Sequence, residues 1–166
     1  MKILIDKGIP VNQMSNGSVA CTALYNAANN GCLEAVNLLL EFKAEVDTVC
    51  ANECTALHVA ASNGHTAVVK RLISAGAEVD FQTNNSIAAI HNAVNNGHIE
   101  TVGALISADC DVDIQNSGGN TPLHVAASKG TKLLLQSPAL TDLDAQGTLR
   151  LHVCCWLPTA ISTSRM

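Results

Sequence analysis

Four stretches of this chain repeat at a constant interval of 33 residues: Thr22-Ala-Leu-Tyr25, Thr55-Ala-Leu-His58, Ala88-Ala-Ile-His91 and Thr121-Pro-Leu-His124. The same interval separates Gly31, Gly64, Gly97 and Gly130, and also Val46-Asp47, Val79-Asp80 and Val112-Asp113. Three independent markers sharing one period restrict the chain to a small unit stacked on copies of itself. A unit this short cannot bury an apolar face alone, so each copy must cover the next.

Each unit reads as a helix pair. Thr55 is placed to cap a short helix that carries Leu57, Ala60 and Ala61 on one side, and Gly64 then supplies a left-handed turn that a side chain resists. A second helix follows, with Val68, Val69, Leu72 and Ile73 at helical spacing. Ala35, Val36, Leu39 and Leu40 take those places in the preceding unit, and Thr101, Val102, Leu105 and Ile106 in the following one. Polar stretches between pairs, such as 48–53 and 82–86, predict protruding hairpin-like loops.

Composition narrows the function. Aromatic residues are only 2% of a chain that is 48% hydrophobic, so the core is one of small aliphatics between closely packed helices. A net charge of −5 with nine scattered Lys and Arg leaves no basic footprint for a phosphate backbone, which excludes nucleic acid as a partner. No apolar run approaches the roughly 20 residues that span a bilayer, and Met1-Lys2-Ile3-Leu4-Ile5 is cut short by Asp6 and Lys7. Neither membrane insertion nor a signal peptide is expected. The seven cysteines are odd in number and lack paired zinc spacing, so reduced thiols in an intracellular, cytoplasmic setting are expected.

Thr-Pro-Leu-His-Val-Ala-Ala-Ser-Lys-Gly at 121–130, with 55–64 close behind, resembles the ankyrin repeat. The resemblance extends over about residues 1–153 and implies an all-α solenoid of stacked helix-turn-helix units with β-hairpin fingers, curved, and recognising proteins on its concave side. In that scheme residues 1–19 form a partial repeat, followed by repeats at 20–52, 53–85 and 86–118. A shortened repeat at 119–146, the start of a sixth at 147–157 and a tail at 158–166 complete the chain. The chain is thus expected to begin and end inside a repeat. Tyr25 stands where the family has His, and Ala88-Ala-Ile replaces Thr-Pro-Leu, which weakens one helix start. Lys43 and Asp109 occupy the left-handed cap that Gly8 and Gly76 fill elsewhere, at a cost of roughly 1 kcal/mol for Lys and less for Asp. The repeats carrying them are expected to be the less stable ones.

Catalytic and metal chemistry find no support. His58, His91 and His124 hold one register in successive layers about 8–10 Å apart, whereas zinc ligands lie about 2 Å from the metal, so these histidines are read as bonding neighbouring loop backbone. The shared register of Cys21 and Cys54 likewise argues against a bridge between them, although Cys50 and Cys54 lie close enough in one finger to approach each other. No nucleophile elbow, zinc-protease motif or phosphate loop is present. No cofactor is expected, and the chain reads as a non-enzyme.

The family's partner surface, carried over by register, comprises Val49, Ala51, Asn52 and Cys54 on one finger, Gln82, Asn84, Asn85 and Ile87 on the next, and Gln115, Ser117 and Asn120 on a third. Asn29, Asn30, Ser62, Asn63, Asn95, Asn96, Ser128 and Lys129 extend it along the helix ends. The stripe is neutral and amide-rich, without the Trp, Tyr and Arg of typical hot spots. A protein-binding scaffold follows, the alternative being a structural spacer within a larger protein. Beyond Gly130 the second helix is short by about four residues, and an incomplete helix at 149–157 exposes Val153, Cys154, Cys155 and Trp156. Uncapped ends of this kind predict self-association.

Overall fold

The structure, a computed structural model, describes residues 8, 10–16, 20–50 and 53–129 in full, and the backbone of 142–143 and 149–150. Seven helices lie in the described part. They are α1 (Ala23–Asn29), α2 (Leu33–Glu41), α3 (Ala56–Ser62), α4 (Thr66–Ser74), α5 (Ala89–Asn95), α6 (Ile99–Ile106) and α7 (Pro122–Lys129). Each odd-numbered helix to α5 packs on the even one that follows it. Across the stack α1, α3, α5 and α7 form one continuous row, and α2, α4 and α6 a second.

Local chemistry explains where the helices start and stop. Thr22 begins α1 in an extended conformation, and its hydroxyl accepts the Tyr25 N–H at 3.2 Å. Thr55 begins α3 in the same conformation. Ala88, which has no hydroxyl, leaves α5 without that half of the cap. Turns between paired helices use a left-handed glycine, with φ +68° at Gly31, +72° at Gly64 and +75° at Gly97.

The core is a column of small and medium side chains. Leu24, Ala28, Leu57, Ala60, Ala61, Ile90 and Ala93 fill the space along the first row, and Val36, Leu39, Val68, Val69, Leu72, Val102 and Leu105 lie behind them on the second. Most apolar positions expected from the period are buried, and Ala35, Leu40, Ile73 and Ile106 are partly buried and packed against that core.

The structure departs from expectation at two places. No strand forms in the described fingers, which close instead as tight five-residue turns. In each, the first N–H donates to the fifth carbonyl: Cys50 to Cys54 at 3.1 Å, Thr83 to Ile87 at 3.1 Å and Asn116 to Asn120 at 3.0 Å. The fourth residue is left-handed (Glu53 φ 64°, Ser86 φ 54°, Gly119 φ 73°), so the chain reverses at once and too few residues remain to extend a ladder. The second departure concerns Leu149 and Arg150, expected at the start of a helix. They form the two-residue strand β2 (Leu149–Arg150), paired antiparallel with β1 (Asp142–Leu143). That pairing commits backbone groups which a helix start would need for itself. The remainder of the shortened repeat, the expected exposure of Val153, Cys154, Cys155 and Trp156, and the tail at 158–166 all lie outside the described residues.

Candidate partner-binding face

The fingers at 50–54, 83–87 and 116–120 are stitched to one another. Gln82 Nε2 donates both to the Ser86 carbonyl of its own finger and to the Gln115 carbonyl of the next, each at 3.0 Å. The Ser117 N–H donates to the Asn85 carbonyl at 3.0 Å, and Asn84 Nδ2 donates to the Glu53 carboxylate of the preceding finger. In the second and third turns a side chain props the backbone: Thr83 Oγ1 accepts from the Ile87 N–H, and Asn116 Oδ1 accepts from both Gly118 and Asn120. Adjacent turns are therefore tied into one strip.

Val49, Gln82, Asn84, Asn85, Gln115, Ser117 and Asn120 lie exposed on or beside this strip, while Cys54 and Ile87 are half-buried. Ala51 and Asn52 are outside the described residues. At the helix ends Asn29, Asn30, Asn63, Asn95, Asn96, Ser128 and Lys129 are exposed and Ser62 is half-buried. Several of those amides already serve the stack. Asn63 Nδ2 donates to the Asn29 carbonyl at 3.0 Å and to its side chain at 3.1 Å, and Asn96 Nδ2 repeats the pattern on Ser62 at 2.7 and 3.0 Å. A partner reaching Asn63 or Asn96 meets amides that are partly engaged, whereas the finger-tip side chains of Asn85 and Ser117 stand clear.

Two further ladders were not assigned from the sequence. His65 Nε2 donates to the Asn29 carbonyl at 3.1 Å and His98 Nε2 to that of Ser62 at 2.9 Å, so each ring lies across the turn of the layer before it. A Cβ on Gly31 would stand 2.6 Å from His65 Nδ1, and one on Gly64 2.5 Å from His98 Nδ1. The glycine is therefore required twice, by its backbone angle and by the ring above it. The second ladder is acidic. Both Asp47 carboxylate oxygens accept the Glu78 N–H at 3.2 Å, and both Asp80 oxygens accept that of Asp111 at 3.0 and 3.1 Å. The 33-residue recurrence of His65 and His98, and of Asp47 and Asp80, was the available signal, but recurrence alone does not name an acceptor.

Of the first row of histidines, His58 donates from Nε2 to the Ile87 carbonyl at 3.0 Å and His91 to that of Asn120 at 3.1 Å, as expected of rings that bond neighbouring loops. His124 meets its own cap, its Nδ1 lying 2.8 Å from Thr121 Oγ1. Cys21, Cys32, Cys50, Cys54 and Cys110 are reduced thiols. The Cys50 thiol lies against Cys21, the residue before the Thr22 cap of α1, a diagonal contact that comparing like positions does not reveal. Burial, reinforced by Cys21 and Cys54, pushes Cys50 up to about 11, and burial with Asp80 nearby pushes Cys110 up to about 12. Such thiols stay protonated and are poor nucleophiles at neutral pH. Among the described residues no cluster of His, Cys, Asp and Glu is arranged to hold a metal ion, and no helix is long and apolar enough to cross a membrane.

Stacked helix pairs, left-handed glycine turns and stitched fingers define a repeat scaffold with an extended edge. A family model described as ankyrin repeats (3 copies) matches residues 1–83 and 90–160. The chain belongs to the ankyrin-repeat family, whose members are generally protein–protein interaction modules. A search of curated proteins gave no match.

Proposed function

We propose that the chain is a non-catalytic scaffold that binds a partner protein along the finger strip and the adjoining ends of α1, α3 and α5. The observation that carries this reading is the hydrogen-bonded register of the fingers, which presents Asn85 on one finger and Ser117 and Asn120 on the next along a pre-organised surface. Apart from the Glu53 carboxylate, the strip is uncharged and made largely of amides, which suits a partner recognised by hydrogen bonds and bound with modest affinity. An odd number of cysteines without paired spacing favours a reducing, cytoplasmic compartment.

The test is capture by the immobilised chain, with a triple variant of Asn85, Ser117 and Asn120 to Arg set beside a variant of Glu34 and Lys70 on the second helices. A partner retained by the wild type and by the second-helix variant, but lost by the finger variant at unchanged helicity, is the expected result. Undiminished capture by the finger variant would reject this face.

A further inference from the structure

His58 sits on α3 as the third residue after its cap, with only 1% of its surface exposed. Its Nδ1 accepts the Thr55 backbone N–H at 3.3 Å, and the Thr55 hydroxyl lies 2.9 Å from the same nitrogen. A backbone N–H cannot act as an acceptor, so the neutral ring carries its proton on Nε2, which donates to the Ile87 carbonyl of the next finger. Phe81 meets the ring edge-on, 6.0 Å between centroids and 85° between planes. A second proton has one place to go, Nδ1, which then turns to the Thr55 hydroxyl as acceptor and can no longer accept the Thr55 backbone N–H.

We propose that His58 is a proton-operated latch between neighbouring repeats: neutral, it ties the cap of α3 to the finger at 83–87, and on taking up a proton it releases that cap. Asp47, in the turn after α2, is the charged group acting on the ring, and it favours the proton. Burial opposes it and dominates, holding the imidazole below its ordinary range. The other titratable and charged groups on the surrounding elements are Tyr25 of α1, Glu53 and Cys54 beside the cap, His65 at the start of α4 with Lys70 and Arg71 along it, Asp80 beside Phe81, and His91 of α5. The sign follows from the lowered value. The opened state binds the proton more tightly than the closed one, so the stabilisation is fully present above about pH 6.5 and is lost as pH falls from there towards the folded value. The latch belongs to the chain alone and does not rest on partner binding.

The experiment is amide exchange in the isolated chain between pH 7.5 and 5, corrected for intrinsic rates, with the His58 ring nitrogens followed by NMR in the same samples. Protection at Thr55, Thr83 and Ile87 is expected to fall by up to roughly tenfold per pH unit as the ring protonates. In His58→Gln the amide oxygen can still accept the cap N–H but cannot titrate, so that variant should show no such fall. An equal acid response in His58→Gln would overturn the latch. So would a His58 ring that protonates in the wild type while those three amides stay protected, a comparison that needs no variant.

Discussion

Helices α3 and α7 occupy the same register and share their local chemistry, yet they differ in nearly everything that stability depends on. Both follow a threonine, and both carry a histidine whose Nδ1 meets that threonine. Leu57 on α3 is 1% exposed and Ile90 on α5 is 2%, whereas Leu123 on α7 is 64%. His58 and Ala61 are buried, while His124 and Ala127 lie open. The difference is one of neighbours: α3 packs between α1 and α5, but among the described helices α7 packs only against α5. A repeat's own residues decide that it is a helix pair, and the next repeat decides how much that pair is worth.

The comparison is most exposed to failure at the leucines. Leu57→Ala is expected to cost about 3 kcal/mol through lost burial and a cavity, and Leu123→Ala well under about 1 kcal/mol. Urea midpoints would read this directly, and exchange protection should run higher over 55–107 than in α7. Equal costs would show that Leu123 is covered in solution and that the two helices are equivalent after all.

Glycines sharpen the contrast, because Gly64 and Gly119 have almost the same angle, φ +72° and +73°, in different surroundings. At Gly119 nothing lies within 4 Å of an added Cβ, so Gly119→Ala should cost about 1 kcal/mol, the left-handed penalty alone. At Gly64 the same Cβ meets the His98 ring, and Gly64→Ala should cost about 2 kcal/mol or more. Pairing Gly64→Ala with His98→Ala should recover part of that excess; if it recovers none, the ring is not what demands the glycine.

The smallest effects are gains. Lys43 and Asp109 are left-handed, φ 63° and 56°, as their alignment with Gly76 predicts, so Lys43→Gly is expected to stabilise by up to about 1 kcal/mol and Asp109→Gly by less. Ala88→Thr should add about 0.5–1 kcal/mol by restoring a hydroxyl at the start of α5, where His91 Nδ1 already accepts the Ala88 N–H at 3.2 Å. Thermal melts of the three variants, singly and combined, would show whether the second and fourth repeats limit the stack. A combined gain confined to one repeat would place the weak point there.

Much of the fold was legible because its signals are local. Thr55, Gly64 and the spacing of Val68, Val69 and Leu72 act within a few residues of one another, and the helices follow them closely. The candidate face was legible as a register but not as chemistry. Asn63 and Asn96 look like free surface amides in sequence, yet each crosses to a carbonyl one layer back. The β-fingers suggested by the resemblance shrink to tight turns, because closure depends on which residue turns left-handed, and Glu53 and Ser86 do so without being glycine.

The sequence by itself determined the unit: its length, its paired helices, its caps and the face each helix buries. All of these rest on interactions between residues close along the chain or on a period that can be counted. Only the tertiary structure decided what one unit does for the next. Arg71 finds Asn37, His65 reaches the Asn29 carbonyl and Asp47 holds the Glu78 N–H across separations of 34, 36 and 31 residues. No single spacing relates these pairs, and each forms only because packing the apolar columns first brings two layers into register. Once those layers meet, each of these polar groups takes the partner that packing has set opposite it.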